Sequence, residues 1–450
     1  MTGYLLLTPE LALLVAAAWA MFADRLPGGD RGAAWASAGL ATVSAVLAAV
    51  TAPSGTLFAG LLGFDGPGRF ARVGMAVLLA LWLVWVGSRS EGRVREAVAL
   101  ASFATLGGML MTEARELVTL VLAIELATMP AYVLIGYRRE RIAGLEGAIK
   151  YFLLSMLTTL VMLYGMSFLY GASGTTRFDG LDMTAAGTLG IVGVLLTFVG
   201  LFAKLSAAPF HYWAPDAYEG SEAWTVAFVS TVPKVAGAVV LVRLASVLSV
   251  SVESLSVVLL AGAVASMVLG NLAALTQTDV RRLMAYSGVA HTGYLMLGVA
   301  ALTSRGYSAA ILYAVAYALP SLGVMLIVAE EGAGVRDFAG VARRRPATAW
   351  ALVLMLASLI GIPPMIGFFG KLFLFAAALE AKLWIWVLVA ILMSVVSAGY
   401  YLRLVREAFF GEPAREVAAS SPISAAVAIA AALTLALGLA AGPLLTWIAG

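Results

Sequence analysis

The chain of 450 residues is 62% hydrophobic and only 12% charged, with a mean hydropathy of +0.98. Soluble domains carry about 25% charged residues, so this is an integral membrane protein, and its recurring apolar runs of about twenty residues specify helices and not the short alternating segments of a β-barrel. A net charge of +3 spread over loops does not suggest nucleic acid. With no cysteine and two histidines, the chain has no disulfide, no Cys-ligated iron–sulfur cluster and too few ligands for a typical metal site. Cofactors for any redox chemistry would sit in another polypeptide.

The first apolar run, 4–23, has no basic stretch ahead of it and reads as a retained span, not a cleaved signal peptide. Further spans are predicted at 33–52, 70–87, 96–112, 114–137, 145–171, 185–206, 222–249, 253–276, 280–301, 306–330, 346–380, 383–410 and 419–447, about fourteen by the length rule. The turn signals PGGDRG, PSG, GASGTTRFDG and EGAGVRD fall between them. The longest, 346–380, contains GIPPMIGFFGK and reads as two half-helices.

Loop charges give the orientation. One alternate set holds Arg25, Arg31, Arg89, Arg93, Arg95, Arg138, Arg139, Arg141, Arg281, Arg282, Arg336, Arg343, Arg344, Arg345, Arg403, Arg406 and Arg415; the other holds little beyond Arg69, Arg177, Arg305 and Lys382. The bias predicts an even number of spans with both termini outside. The loop after span seven departs from it, being acidic and aromatic: Tyr212, Trp213, Asp216, Tyr218 and Glu219.

The stretch LFAKLSAAPFHYWAPDAYEGSEAWTVAFVSTVPK, residues 201–234, stands out. Prolines 209, 215 and 233 interrupt it, and it holds Lys204, His211, Asp216, Glu219, Glu222 and Lys234. Charged, proline-broken membrane helices are costly, so they mark function. Span seven pairs Lys204 with Pro209; span twelve pairs Lys371 with Pro363 and Pro364. They lie five spans apart and so run in opposite directions. That is the pattern of an inverted-topology repeat, with spans 4–8 and 9–13 as halves.

Ionisable residues inside the spans are sparse. Glu125 lies well inside span five, where a charge costs at least about 2.5–3.5 kcal/mol on insertion scales. The bland reading is a neutral acid hydrogen-bonded between helices. Lys204 reads either as a snorkelling lysine or as a partner of Glu125. Lys234, directly after Pro233, is too central to snorkel, and Lys371 stands at the break in span twelve. Lys150 follows Glu146 by four residues, the favoured order for a local ion pair, which is as good a reading as a transfer role. His291, with Tyr286 and Tyr294 nearby, reads equally as a core residue or as a relay, since a neutral imidazole both donates and accepts. His211 reads as structural, and Asp279, Arg281 and Arg282 as charges at a helix start. As a series, Glu125, Lys204, Lys234, His291 and Lys371 suggest proton hopping through hydrated cavities. No phosphate loop, nucleophile–base pair or cofactor fingerprint is present.

The motifs KLSAAPFHYWAPDAYEG, VPK, RRLMAYSGVAHTGY and GIPPMIGFFGKLFLF, in this order across roughly residues 115–380, resemble the proton-translocating antiporter-like subunits of respiratory complex I. The Asp-Ala-Tyr-Glu-Gly ending is similar to that of the subunit N group of NADH-quinone oxidoreductase; the related M, L and Mrp antiporter subunits tend to have Asp-Ala-His there. The resemblance implies an all-α polytopic fold of fourteen helices: three N-terminal helices over 1–95, inverted halves over 96–250 and 251–411 with broken helices seven and twelve, and a last helix over 412–450. It implies proton-transfer roles for Glu125, Lys204, Lys234, Lys371 and His291, with Lys150 and Tyr286 as weaker candidates. It implies a bacterial inner (plasma) membrane location beside homologues of subunits K and M, with flavin, iron–sulfur clusters and quinone in other subunits. Where the family shows an Ala-Pro pair, this chain has Ser221-Glu222-Ala223-Trp224. Ser221 is expected to cap helix eight, with Glu222 favourable at its N-terminus. Two other readings stay open: an Mrp-type cation/proton antiporter subunit, and a proton-silent scaffold.

Overall fold

The structure, a computed structural model, describes residues 2–449 except 24–27, 52, 53, 90–93, 139, 185, 186, 250, 251, 253 and 413–421. Arg25, Arg93, Arg139 and Arg415 of the loop-charge pattern therefore lie outside the described residues, as does the start of the expected last span.

After a 3-10 turn at Thr2–Leu7 come α1 (Thr8–Met21) and α2 (Gly29–Val50). A two-stranded antiparallel hairpin, β1 (Gly55–Leu57) and β2 (Leu62–Phe64), leads to α3 (Gly66–Arg89). Then follow α4 (Arg95–Glu113), α5 (Leu117–Ile135), α6 (Ile142–Ser173), α7 (Gly187–Lys204), α8 (Trp213–Gly220), α9 (Ala223–Val229) and α10 (Val232–Leu248). The second half holds α11 (Leu255–Leu275), α12 (Val280–Ala300), α13 (Ser304–Glu331), α14 (Val341–Arg344), α15 (Pro346–Ile360), α16 (Ile366–Glu380) and α17 (Trp384–Phe410). The bent pair α18 (Ala425–Leu439) and α19 (Ala441–Ala449) ends it. Among the described residues, ten helical segments are long and apolar enough to cross a membrane, or up to eleven if the bent pair is one span.

Helix α13 is the hub. Its most apolar window is wholly buried and that of α9–α10 nearly so, as helices hydrophobic on every face require. Helices α6 and α17 instead turn most of their apolar surface outward.

Three breaks position the site. Helix α7 stops at Lys204, and the chain turns before α8. Helix α15 stops at Ile360, and α16 starts six residues later. The third departs from the sequence reading: the span expected over 222–249 is interrupted at Ser230 and Thr231. Pro233 explains it, because its ring lacks an N–H and clashes with the carbonyl four residues back. The last span is also not one rod, since α18 and α19 meet at 79°. Nor does Ser221 cap the following helix: its hydroxyl donates to Ile135 O (2.9 Å) and Ala217 O (2.6 Å), tying α8 to α5. Asp279 does cap, accepting from the backbone N–H groups of Arg281 and Arg282 at the start of α12.

Backbone contacts sort the loops onto two ends of the bundle. Arg115 N donates to Leu61 O and Leu117 N to Thr176 O, gathering the hairpin and residues 114–117 and 174–182 at one end. Arg281 reaches Ser221 O (2.7 Å) and Arg141 pairs with Glu222 (3.1 Å), gathering 136–144, 213–222 and 277–282 at the other.

Candidate functional site

Each break delivers a lysine, and the three are held differently. Lys204 is the last residue of α7. Its Nζ donates to Ser155 Oγ (2.7 Å) and to Tyr132 OH (3.4 Å) and lies 3.9 Å from Glu125 Oε1. Glu125 also accepts from Thr159 Oγ1 (3.4 Å). The Lys204 side chain is 5% exposed, so it is a buried partner of Glu125 and does not snorkel.

Lys371, on the first turns of α16, reaches back across the break. Its Nζ donates to Leu359 O (3.0 Å), Ile360 O (2.9 Å) and Ser394 Oγ (2.7 Å). The last carbonyls of a helix have no intrahelical donor and carry the negative end of its dipole. Ending α15 at Ile360 thus supplies the ammonium with its acceptors. A cavity of about 410 Å³ opens onto Lys371 and Ser394, walled by Phe368, Phe375 and Ile391.

Lys234 is the odd one. It stands in the first turn of α10, the end of a helix where a cation is disfavoured. It is buried, and its Nζ has no hydrogen-bond partner among the described residues. The same is true of Tyr317 OH. Both face Gly288: a Cβ added there would lie 2.5 Å from Lys234 Nζ and 2.8 Å from Tyr317 OH. Buried polar groups are ordinarily paired, and these two converge on the space beside Gly288, with Lys234 Nζ 5.5 Å from the centroid of the Tyr317 ring.

From Tyr317 the row continues. His291 lies with its ring centroid 4.8 Å from that of Tyr317, its Nδ1 2.7 Å from Tyr313 OH and its Nε2 3.3 Å from Tyr401 OH. Tyr401 also bonds Ser287. The ring of Tyr294 lies 5.7 Å from His291 and 4.8 Å from Lys371 Nζ. Asn271 donates to Tyr294 OH (3.1 Å) and accepts from Tyr400 OH (3.1 Å). Lys234, Tyr317, His291, Tyr294 and Lys371 therefore form one buried row. Leu205, the residue after Lys204, packs against Gly237 on the helix that carries Lys234.

The weaker candidates lie at the basic end of the bundle. Lys150 is 44% exposed and pairs with both Glu146 and Asp216 at 2.8 Å. Arg282 bonds Asp216 and Glu219 at 2.8 Å and lies over the Tyr286 ring. Burial alone would raise the Asp216 carboxyl, but Lys150 and Arg282 hold it below the ordinary aspartate range. This is the local ion pair that the Glu146–Lys150 spacing suggests, extended to α8 and α12. Tyr286 faces this network, not His291. His211 is buried.

Sequence reasoning missed the hydroxyl partners Ser155, Tyr132, Tyr313, Tyr317, Tyr401 and Ser394. It also missed a buried ionic cluster at the opposite end, made of Glu10, Asp65, Arg72, Glu113, Arg115 and Arg243. Glu10 and Arg72 lie within predicted spans, and that was the available signal.

The family described as "NADH:quinone oxidoreductase/Mrp antiporter, TM" matches residues 114–397. An NADH-quinone oxidoreductase subunit N from Rhodospirillum rubrum is 37% identical over 380 residues, covering 81% of this chain and 78% of that protein. A chain of respiratory complex I from Thermus thermophilus superposes with a TM-score of 0.86 at 31% identity, over 98% of this chain and all of that one. A chain of an Mrp complex from a Dietzia species shares the fold, with a TM-score of 0.87 at 20% identity, over 100% of this chain and 96% of that one.

Proposed function

Since this chain belongs to the NADH:quinone oxidoreductase/Mrp antiporter family, within its NADH-quinone oxidoreductase subunit N group, we propose that it moves protons across a bacterial inner membrane as a subunit of such an oxidoreductase. Quinone reduction in other subunits supplies the free energy. Flavin, iron–sulfur clusters and quinone belong to those subunits, and the chain contributes only the translocase step. Homologues of subunits K and M are its neighbours, and both termini face outward.

The observation that carries this reading is the buried row from Lys234 through Tyr317, His291 and Tyr294 to Lys371, with the Glu125–Lys204 pair beside it. Lys204 and Lys234 take protons from the inside, the end carrying Asp216 and Arg282. His291 accepts on one ring nitrogen while it donates from the other, between Tyr313 and Tyr401. Lys371 delivers to the outside. Glu125 sets the hold of Lys204 on its proton. Two charges about 4 Å apart attract by about 4 kcal/mol at an effective dielectric constant of 20. Doubling that separation halves the attraction, which shifts a proton equilibrium by more than about tenfold. The breaks at Lys204 and Lys371 are counterparts in two inverted halves, residues 96–250 and 251–411, which 1–95 and 412–450 flank in sequence.

The test is Lys234→Ala in the assembled complex in sealed vesicles. Proton uptake and NADH–quinone activity both fall while assembly stays normal. Unchanged pumping and electron transfer would make the chain a proton-silent scaffold. Cation–proton exchange by the purified chain without redox subunits would favour the Mrp-type reading, for which the shared fold speaks.

A further inference from the structure

Among the described residues, the ionic cluster at the hairpin end of the bundle is the largest group of paired charges that the proton row does not use. Six groups converge there from four helices and two links. Glu10 comes from α1, Asp65 from the residue before α3, Arg72 from α3, Glu113 from the end of α4, Arg115 from the link between α4 and α5, and Arg243 from α10. Three guanidinium groups face three carboxylates, so the charges balance only if every acid is ionised.

The carboxylates are not equivalent. Glu10 is clamped by Arg72 through two hydrogen bonds, Nε to Oε1 (2.7 Å) and Nη2 to Oε2 (2.6 Å). Asp65 is clamped by Arg243 through two more (2.7 and 2.9 Å) and bonded by Arg115 (2.8 Å). These are the strong bidentate geometries. Glu113 has neither. Its nearest cation is Arg72 Nε at 3.9 Å, its Oε1 accepts only from Thr112 Oγ1 (3.3 Å), and its Oε2 has no hydrogen-bond partner among the described residues. Yet it is 1% exposed. An ionised oxygen buried without a partner is costly, and a proton is the ligand that removes that charge.

Its position suits such a ligand. Arg243 lies nine residues beyond Lys234 on the same helix, about 13 Å along the axis, and its Nε donates to Thr112 O (2.7 Å), next to Glu113. On the other side the cluster reaches water, since Asp65 is 34% and Arg115 24% exposed. Glu113 thus stands between the central lysine and the surface at the hairpin end.

We propose that Glu113 is a further proton-binding site, the exit station of a second branch through which part of the protons on Lys234 leave at the hairpin end beside the route through Lys371, with the two clamped ion pairs holding it in place. The step is proton transfer alone. An O–H bond forms on Glu113 as an N–H bond on Lys234, or an O–H bond of an intervening water, breaks. The O–H bond then breaks again as the proton passes to water beside Asp65, and no electrons change hands. The inference rests on the proton-transfer reading above.

The experiment compares wild type, Glu113→Gln, Glu113→Asp and Lys234→Ala in the assembled complex in sealed vesicles. It reads protons moved per NADH oxidised, with infrared difference spectra of the carboxylic acid C=O band on turnover. Glu113→Gln keeps the size and the contact with Thr112, so assembly persists. It lowers the proton ratio and removes one acid band, and Glu113→Asp restores part of both. A normal ratio and an unchanged band in Glu113→Gln, with a lowered ratio in Lys234→Ala, would overturn the exit station alone. A normal ratio in Lys234→Ala would overturn the reading on which it rests. Glu10→Gln serves as the structural comparison: it loosens a clamp but leaves the Glu113 carboxyl, so its assembled fraction keeps the Glu113 acid band and loses less of the ratio than Glu113→Gln does. If it lowers the ratio as much as Glu113→Gln does, the cluster acts only as a brace and the proposal fails.

Discussion

Gly288→Ala tests whether the gap between Lys234 and Tyr317 carries protons. The added Cβ would lie 2.5 Å from Lys234 Nζ and 2.8 Å from Tyr317 OH. Ordinary contact begins near 3.4 Å, so the ammonium must retreat by about 1 Å. It sits at the end of a flexible chain, so the fold absorbs this at the low end of the ~1–3 kcal/mol typical of overpacking. Alanine also suits a helix interior better than glycine by up to about 1 kcal/mol. Assembly therefore survives. The methyl group fills the space between the two groups, across which the proposed transfer runs, and a displacement of about 1 Å at a reacting centre costs up to about a hundredfold in rate. The assay is NADH–quinone turnover with proton uptake in vesicles, normalised to assembled complex. Gly39→Ala is the control, because nothing lies within 4 Å of its added Cβ. Turnover of Gly288→Ala within twofold of wild type would refute transfer across this gap.

Tyr313→Phe removes the hydroxyl 2.7 Å from His291 Nδ1. Coupled turnover falls by roughly a hundredfold if that bond sets the ring for relay, the lower range for general acid–base participation; a solvent-deuterium effect on turnover checks that the slow step is proton transfer. At the hairpin end, burial would raise the Asp65 carboxyl, but the hydrogen bonds and charge of Arg243, with Arg115, hold it below the ordinary aspartate value of 3.8. A depressed folded-state value stabilises the fold above that ordinary value, and the contribution is lost as pH falls through the lower one. Amide exchange at the start of α3 should therefore accelerate below about pH 4 in wild type, and Asp65→Asn should exchange faster at neutral pH with that acid-dependent change removed.

Much of the row was legible because charge is expensive in an apolar helix. Glu125, Lys204, Lys234, His291 and Lys371 announce themselves by residue type alone. Their partners do not. Tyr132, Tyr313, Tyr317 and Tyr401 look like ordinary core aromatics, and Ser155 and Ser394 like ordinary small residues. Only packing between distant helices turns them toward the lysines. Glu10 and Arg72 carried the same signal as Glu125, but they stand near the ends of spans 4–23 and 70–87, where a charge is usually wetted. Their burial appears only when α1 and α3 are seen side by side.

The prolines tie the lysines together physically. Pro363 and Pro364 follow the end of α15, whose freed carbonyls hold the Lys371 ammonium. Lys204 ends α7, also at the negative pole of its helix, ahead of Pro209. Pro233 does the reverse: it starts α10, so Lys234 stands at a positive pole with no hydrogen-bond acceptor among the described residues. Two lysines are thus placed where an ammonium is favoured, and the one between them in sequence where it is not. Of the three, Lys234 alone lacks a hydrogen-bond acceptor among the described residues. The proposed transfer uses that difference, since it asks Lys234 to pass a proton on, while Lys204 and Lys371 are held at the ends of their helices.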